Sequence, residues 1–379
     1  MKPIMIIGSG LAGYGLLREL HNRQCPVPRL LITADGGESY SKPMLSTALG
    51  QNRTPADLVM DAASAMAGEL HADILTHTRV REIDSDGHRV ILDSGEERSY
   101  DKLVLAVGSS PIRLPMTGDG AQEVLSINTL DDYIHFRQRL AHAKSVAIIG
   151  PGLIGSEFAN DLLLSQRKVA IIGPDPWPIS TLVPQAAGEA VARALAAQGA
   201  TWHLGTFNGP IEKTASGYRT VLKNGETVAV DLVVSAVGIR PEIQLAQASG
   251  LKTNRGILTD KTLRTSHPDI FAVGDCAEVD GRNLPFVQPL MIGVRALAAT
   301  LMGHPQEIHY PAMPVLIKTT LHPVVTLPPS SREGSWTFTG TAETGIEGRF
   351  FDPNGKLAGF VLTGDRTPEK ATLMTALAS

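Results

Sequence analysis

The sequence predicts an α/β protein of two Rossmann-like three-layer domains and a small C-terminal α+β domain, on three observations. A short apolar run from Ile4 to Ile7 ends in Gly8, Gly10 and Gly13, after which a helix opens near Leu11. A second apolar run, from Ser145 to Ile149, ends the same way in Gly150, Gly152 and Gly155. From Tyr310 the texture changes to β-branched runs (PVLIKTT, HPVVTL), a Pro-Pro break and the turn Pro353-Asn354-Gly355.

Between a strand and a helix, the spacing G-x-G-x-x-G gives each glycine its own task. The first makes the tight turn, the second lets backbone approach a pyrophosphate, and the third permits close helix-on-strand packing. The helix start, here Leu11 and Ala12, then offers free backbone N–H groups to an anion. One such motif is a weak signal; two in one chain call for two dinucleotides.

Taken in order, residues 29–33 read as the second strand. Asp35 follows about twenty residues after Gly13, where this fold places an acid on a ribose hydroxyl. Backbone contact from Ala34 is an equally open reading. Residues 39–50, rich in Ser, Pro and Gly, are expected to be a functional loop, with a plain connector as the alternative. A helix is predicted over 57–70, with Met60, Ala63, Met66 and Leu70 at helical spacing, and a strand over 74–80. Segments 89–92 and 97–100 flank the hairpin signal Asp93-Ser94-Gly95. A buried strand at 103–107 is closed by Gly108, and 111–117 reads as a linker. Next come a helix over 129–141, the strand 145–149, a strand at 169–172 and a helix over 186–198. Segment 228–238 repeats the strand-then-glycine pattern of 103–108, so a nucleotide-binding unit is duplicated within the chain. Residues 270–273 lead into Gly274-Asp275, and 284–303 read as a loop followed by a helix rich in small residues.

Composition excludes several classes. At 379 residues, 43% hydrophobic and 19% charged, the chain has the make-up of a folded protein of two or three domains. A formal net charge of −4 gives no support to nucleic-acid or membrane-surface binding. The only cysteines, Cys25 and Cys276, stand far apart, so neither a disulfide framework nor a metal site is expected. The opening MKPIMIIG is broken at once by Gly8 and Gly10, which reads as a buried strand and not a signal peptide. The cytoplasm is the expected compartment, and a monomer the expected state.

Residues 265–278, TSHPDIFAVGDCAE, set an aspartate directly after a strand, at a glycine, late in the chain. Alone, Asp275 also reads as a helix N-cap. Beside the first fingerprint and the paired segments 106–108 and 236–238, it resembles the flavin-binding G-D box of two-dinucleotide flavoproteins. Residues 1–305 resemble the pyridine nucleotide-disulfide oxidoreductase superfamily, whose fold is glutathione-reductase-like. That resemblance implies FAD at the first fingerprint, with Asp275 at its ribityl chain, and NAD at the second. It divides the chain into an FAD-binding domain (1–108 and 240–308), an NAD-binding domain (109–239) and a C-terminal domain (309–379).

Members that reduce disulfides carry C-x-x-x-x-C on the helix facing the flavin. Here 39–47 holds no cysteine, and Thr47 stands where NADH oxidases and peroxidases have theirs. A W-S-D-Q-type motif, found in oxygenase ferredoxin reductases, is also missing. The run TADGGESYSKPMLS at 33–46 and VLIKT around Lys318 instead resemble rubredoxin–NAD reductases and their flavorubredoxin-reducing relatives.

From that resemblance come the remaining candidate contacts. Lys42, with Pro43 beside it, meets a phosphate or a flavin oxygen, or is a solvated lysine. Val80 meets adenine through its backbone, or packs in the core; Gly108 closes the first dinucleotide site. Glu157 faces flavin and nicotinamide, or is a first-turn glutamate favoured by the helix dipole. Val287 lies at the flavin pyrimidine end. Lys318, in an apolar strand where an unpaired charge is costly, has the flavin N1/O2 locus as its partner, or is an edge-strand lysine.

The implied reaction takes a hydride from NADH to flavin N5 and sends single electrons to the iron of rubredoxin, a route that serves alkane hydroxylation in relatives. Reduction of flavorubredoxin or a ferredoxin, and a non-catalytic FAD-bound redox sensor, are the alternatives. NAD is expected over NADP because 172–176 holds no Arg or Lys for a 2′-phosphate, although the usual acid is displaced to Asp175. A basic docking patch for acidic rubredoxin is expected.

Overall fold

The computed structural model describes residues 1–378. In chain order its dinucleotide-type elements begin with β1 (Ile4–Ile7), α1 (Leu11–Asn22), β2 (Arg29–Ile32), β3 (Asp73–Leu75) and β4 (Lys102–Leu105). There follow β5 (Ser145–Ile149), α2 (Leu153–Leu164), β6 (Lys168–Gly173), β7 (Ala200–Leu204) and β8 (Leu232–Ser235). Far along the chain come β9 (Ile270–Ala272) and α3 (Val287–Leu301). The C-terminal strands are β10 (Val315–Ile317), β11 (Val324–Leu327), β12 (Ser335–Thr341), β13 (Gly345–Phe351) and β14 (Leu357–Thr363).

Contacts divide the chain into two compact units. The first holds residues 1–42, 57–110 and 239–311; the second holds 43–56, 111–238 and 312–379. By contacts the C-terminal segment and the loop 43–56 group with the second unit.

In the first unit the order β9-β4-β1-β2-β3 is parallel throughout, with Ile4 opposite both Arg29 and Lys102. Every residue of β1 is buried, as strands covered on both faces require. Helices α1 and α3 pack on this sheet through Leu16, Leu17, Val294 and Leu297, all fully buried. A three-stranded antiparallel meander, Val80–Asp84, Arg89–Leu92 and Glu97–Ser99, supplies the third layer.

The second unit repeats the plan. Its sheet runs β7-β6-β5-β8, again parallel, with a second three-stranded meander, Glu212–Thr214, Gly217–Val221 and Thr227–Val230. Placing β2-β1-β4 on β6-β5-β8 superposes the two orders, which is the duplication read from sequence. The C-terminal segment forms a five-stranded antiparallel sheet, β10-β11-β14-β13-β12, with Val325, Phe360 and Leu362 packed on Leu373 of the last helix.

Three expected elements differ. The helix over 57–70 begins only at Ala63, because Val59–Asp61 pairs as a strand with Ser39–Tyr40 and leaves Met60 57% exposed. The strand over 74–80 is two strands, broken at His77, which turns at φ 50°. Val80 thus opens the meander and does not end a strand. Segment 228–238 is likewise two strands, parted at Asp231, whose carboxylate accepts from the backbone N–H of Lys144 and Ser145 at 2.7 and 2.9 Å.

Candidate functional site

In an open parallel sheet the ligand crevice lies beyond the strand C-termini, where the strand order reverses. In the first unit this is between β1 and β4, where Gly8 follows β1 directly and Gly108 lies in the loop beyond β4. Gly8 turns at φ +110°, and a Cβ there would stand 2.3 Å from the Ala106 carbonyl oxygen. A Cβ on Gly13 would stand 1.9 Å from the Gly8 carbonyl oxygen, so only glycine lets α1 start this close to β1. Around Gly10 nothing lies within 4 Å of such an atom. The backbone is thus packed tight on its protein side and open beside the first turn of α1, at Leu11 and Ala12. That is the shape a pyrophosphate needs.

The second unit reproduces this geometry. A Cβ on Gly150 would meet the Ala236 carbonyl oxygen at 2.5 Å, and one on Gly155 the Gly150 carbonyl oxygen at 1.9 Å. Gly152 is again open. At the end of β6, Asp175 accepts from Ser180 Oγ at 2.5 Å.

Around the first crevice the other predicted residues fall as follows. Asp35 is exposed, and its Oδ1 accepts from Thr33 Oγ1 at 2.6 Å, Gly37 N at 3.0 Å and Ser9 Oγ at 3.1 Å. These three bonds fix its rotamer; Ala34 beside it is exposed as well. Asp275 lies at the C-terminal end of β9, and Gly274 before it, at φ +82°, would bring a Cβ within 2.9 Å of the Ala12 side chain. The G-D loop therefore abuts the start of α1. Val80 is buried, its side chain part of the core. Val287 is the first residue of α3 and 45% exposed. Lys42 opens a short 3₁₀ turn, Lys42–Ser46.

The second unit also contains a buried polar cluster on α2. Glu157, fully buried, accepts from Ser46 Oγ at 2.6 Å, from Lys318 Nζ at 2.7 Å and from Lys318 N at 2.9 Å. Lys318 Nζ also donates to the Pro43 carbonyl at 2.6 Å and to Ser46 Oγ at 3.0 Å. Lys318 therefore has a partner within the protein. Its charge is already matched by Glu157, 161 residues away in sequence. Lys318 also follows β10 and is not inside it.

One turn on, Asp161 accepts from Leu49 N at 3.0 Å and Gly50 N at 2.7 Å. Burial pushes its carboxyl up to about 6, against the pull of those two N–H groups, Arg137 and Lys318. Asn160 donates to Thr320 Oγ1 at 3.1 Å and accepts from Leu321 N at 2.9 Å. Sequence reasoning missed Ser46, Asn160, Asp161 and, in the first unit, Ser109 and Asn283. A signal existed for two of them: Glu157, Asn160 and Asp161 stand at positions i, i+3 and i+4 of the mostly apolar LIGSEFANDLLL, a polar stripe on a helix that is buried nearly all round. No helix among the described residues is long and apolar enough to cross a membrane.

Comparison with known proteins agrees with this geometry. The Pyridine nucleotide-disulphide oxidoreductase profile matches residues 2–303, and that of the Rubredoxin binding C-terminal domain matches 307–377. A Rubredoxin-NAD(+) reductase from Alcanivorax borkumensis is 43% identical over 98% of each chain. Another, from Acinetobacter baylyi, is 41% identical over 100% of this chain and 98% of its own. Among solved structures, the ferredoxin reductase of the CYP199A2 system from Rhodopseudomonas palustris superposes with a TM-score of 0.89 at 26% identity, covering 98% of this chain and 93% of that one. Two congruent glycine cradles, a G-D loop against the first and matches over the full length place the chain in the pyridine nucleotide-disulphide oxidoreductase family, as an oxidoreductase that binds FAD and NAD(H).

Proposed function

We propose that this protein carries electrons from NADH through FAD to rubredoxin. The observation that carries the reading is the rubredoxin-binding profile at 307–377, in the same chain as two dinucleotide cradles. Absence of a cysteine pair supports it: Cys25 and Cys276 are both buried, and 39–50 contains none. FAD, when bound, supplies the conversion between a two-electron donor and a one-electron iron carrier.

The chain's own residues do the placing. Gly8, Gly10 and Gly13, with the N–H groups at Leu11 and Ala12, take the FAD pyrophosphate. Asp35 or the Ala34 backbone takes its ribose, Val80 its adenine, and Gly108, Gly274, Asp275 and Val287 the flavin end. Gly150, Gly152 and Gly155 take NADH. Glu157 neutralises Lys318, and together they hold Pro43 and Ser46 at a fixed place on α2. Preference for NADH over NADPH rests on Asp175, which Ser180 holds at the end of β6 where a 2′-phosphate would need a cation. A cytoplasmic location fits two reduced, buried cysteines.

The test is anaerobic stopped-flow mixing. NADH is expected to bleach the flavin, and rubredoxin added to the reduced protein is expected to restore its colour while losing its own ferric absorbance. Reduction of a ferredoxin but not of rubredoxin refutes the acceptor. A flavin that stays oxidised under NADH refutes the donor.

A further inference from the structure

Asp275 is held on every side but one. Asn283 Nδ2 donates to the carbonyl oxygens of Asp275 and Ala277, both at 2.8 Å, which fixes the loop backbone. Ser109 Oγ donates to Asp275 Oδ2 at 2.9 Å, which fixes the carboxylate. Asp275 Oδ1 has no hydrogen-bond partner among the described residues, and the residue is half-buried.

The sheet explains how Ser109 reaches so far along the chain. β4 and β9 are parallel neighbours, Leu103 opposite Ile270 and Leu105 opposite Ala272. The loops leaving them, Gly108-Ser109 and Gly274-Asp275, therefore emerge side by side. Ser109 does not depend on a ligand for its own position. It is buried, the Gly108 carbonyl accepts from Glu242 N at 3.0 Å, and the Ser110 hydroxyl bonds the Glu242 carboxylate.

We propose that Ser109 is a positioning residue for the flavin cofactor: it ties down one oxygen of the Asp275 carboxylate, so that the other is presented in one orientation to a hydroxyl of the cofactor's polyol chain. A carboxylate on a short side chain turns about two bonds, and an untethered one spreads its acceptor positions over several rotamers. Tethering removes that freedom before the cofactor arrives, which is how pre-organisation raises affinity. The inference rests on the reading of Gly274-Asp275 as a flavin contact.

The test follows release of FAD from the holoenzyme by the rise in flavin fluorescence, in the wild type and in Ser109→Ala, Ser109→Thr and Ser109→Val. A hydrogen bond to a charged group is at stake, so Ser109→Ala is expected to weaken FAD retention about tenfold. Thr and Val fill nearly the same space and differ in the hydroxyl, so Ser109→Thr is expected to hold FAD about tenfold more tightly than Ser109→Val. In an Asp275→Ala background, Ser109→Ala is expected to change retention less than about twofold. Equal retention in the Thr and Val variants, or a tenfold effect of Ser109→Ala that persists without Asp275, overturns the proposal. Wild-type retention in Asp275→Ala would instead overturn the underlying reading of the G-D loop.

Discussion

Lys318→Met tests the polar cluster on α2 directly. The substitution keeps the length of the side-chain stem and removes the ammonium from Glu157 Oε2, 2.7 Å away. Glu157 is fully buried and keeps two of its three donors, Ser46 Oγ and the backbone N–H of residue 318. Removing one partner of a buried pair costs about 3–5 kcal/mol, because the other charge is left without compensation. Lys318 retains 27% of its side-chain exposure, so some water already screens the pair, and the lower end, about 3 kcal/mol, is expected. Adding Glu157→Gln removes the stranded charge and is expected to recover about 2 kcal/mol of that loss. Urea unfolding followed by tryptophan fluorescence is suited to the measurement. Trp177, Trp202 and Trp336 all lie in the second unit, so the signal reports on the body that contains the cluster. A Lys318→Met protein within about 0.5 kcal/mol of wild type, or a double variant no better than the single one, would refute the ion-pair account.

Asp161 supplies a pH-dependent prediction. Its carboxyl holds its proton up to about 6 in the folded chain against 3.8 as a free group, so its favourable contribution is present below pH 4 and is lost as pH rises from about 4 to 6. The stability of wild type relative to Asp161→Asn is expected to fall by roughly 3 kcal/mol across that window and to stay level above it; parallel curves would contradict it. Gly13→Ala and Gly155→Ala each place a Cβ 1.9 Å from a carbonyl oxygen, so the backbone must move. Gly13→Ala is expected to purify with little flavin. Gly155→Ala is expected to keep its flavin and to be bleached by NADH at least about tenfold more slowly. The reverse pattern would exchange the two cradles.

The duplicated plan was legible because each half is announced by local chemistry: a buried strand, a glycine turn and a helix within some fifteen residues. What misled was pairing set elsewhere. Met60 sits at helical spacing with Ala63 and Met66, yet its segment is drawn into a strand by Ser39–Tyr40, a partner that no local pattern reveals. Lys318 was correctly suspect as a charge among apolar neighbours, but its partner lies 161 residues back on a helix whose glutamate reads equally well as a dipole stabiliser. Ser46, Ser109 and Asn283 carry ordinary polar side chains in polar stretches. Their importance comes from the loop or sheet register that brings each to its partner.

The order β9-β4-β1 has a consequence for vectorial synthesis. A strand made late completes a sheet begun early: β4 ends at Leu105, and its neighbour β9 begins at Ile270. At ordinary elongation rates the ribosome takes on the order of ten to thirty seconds to cover that interval. Throughout it the outer edge of β4 has no β9, and the proposed contact of Gly274-Asp275 with the flavin has no chain to make it. The intervening polypeptide forms β5 to β8, so the sheet of the second unit has all its strands before that of the first unit closes. Cofactor capture during translation is therefore expected to follow emergence of β9. A chain stalled before residue 270 would present a β4 edge open to mispairing.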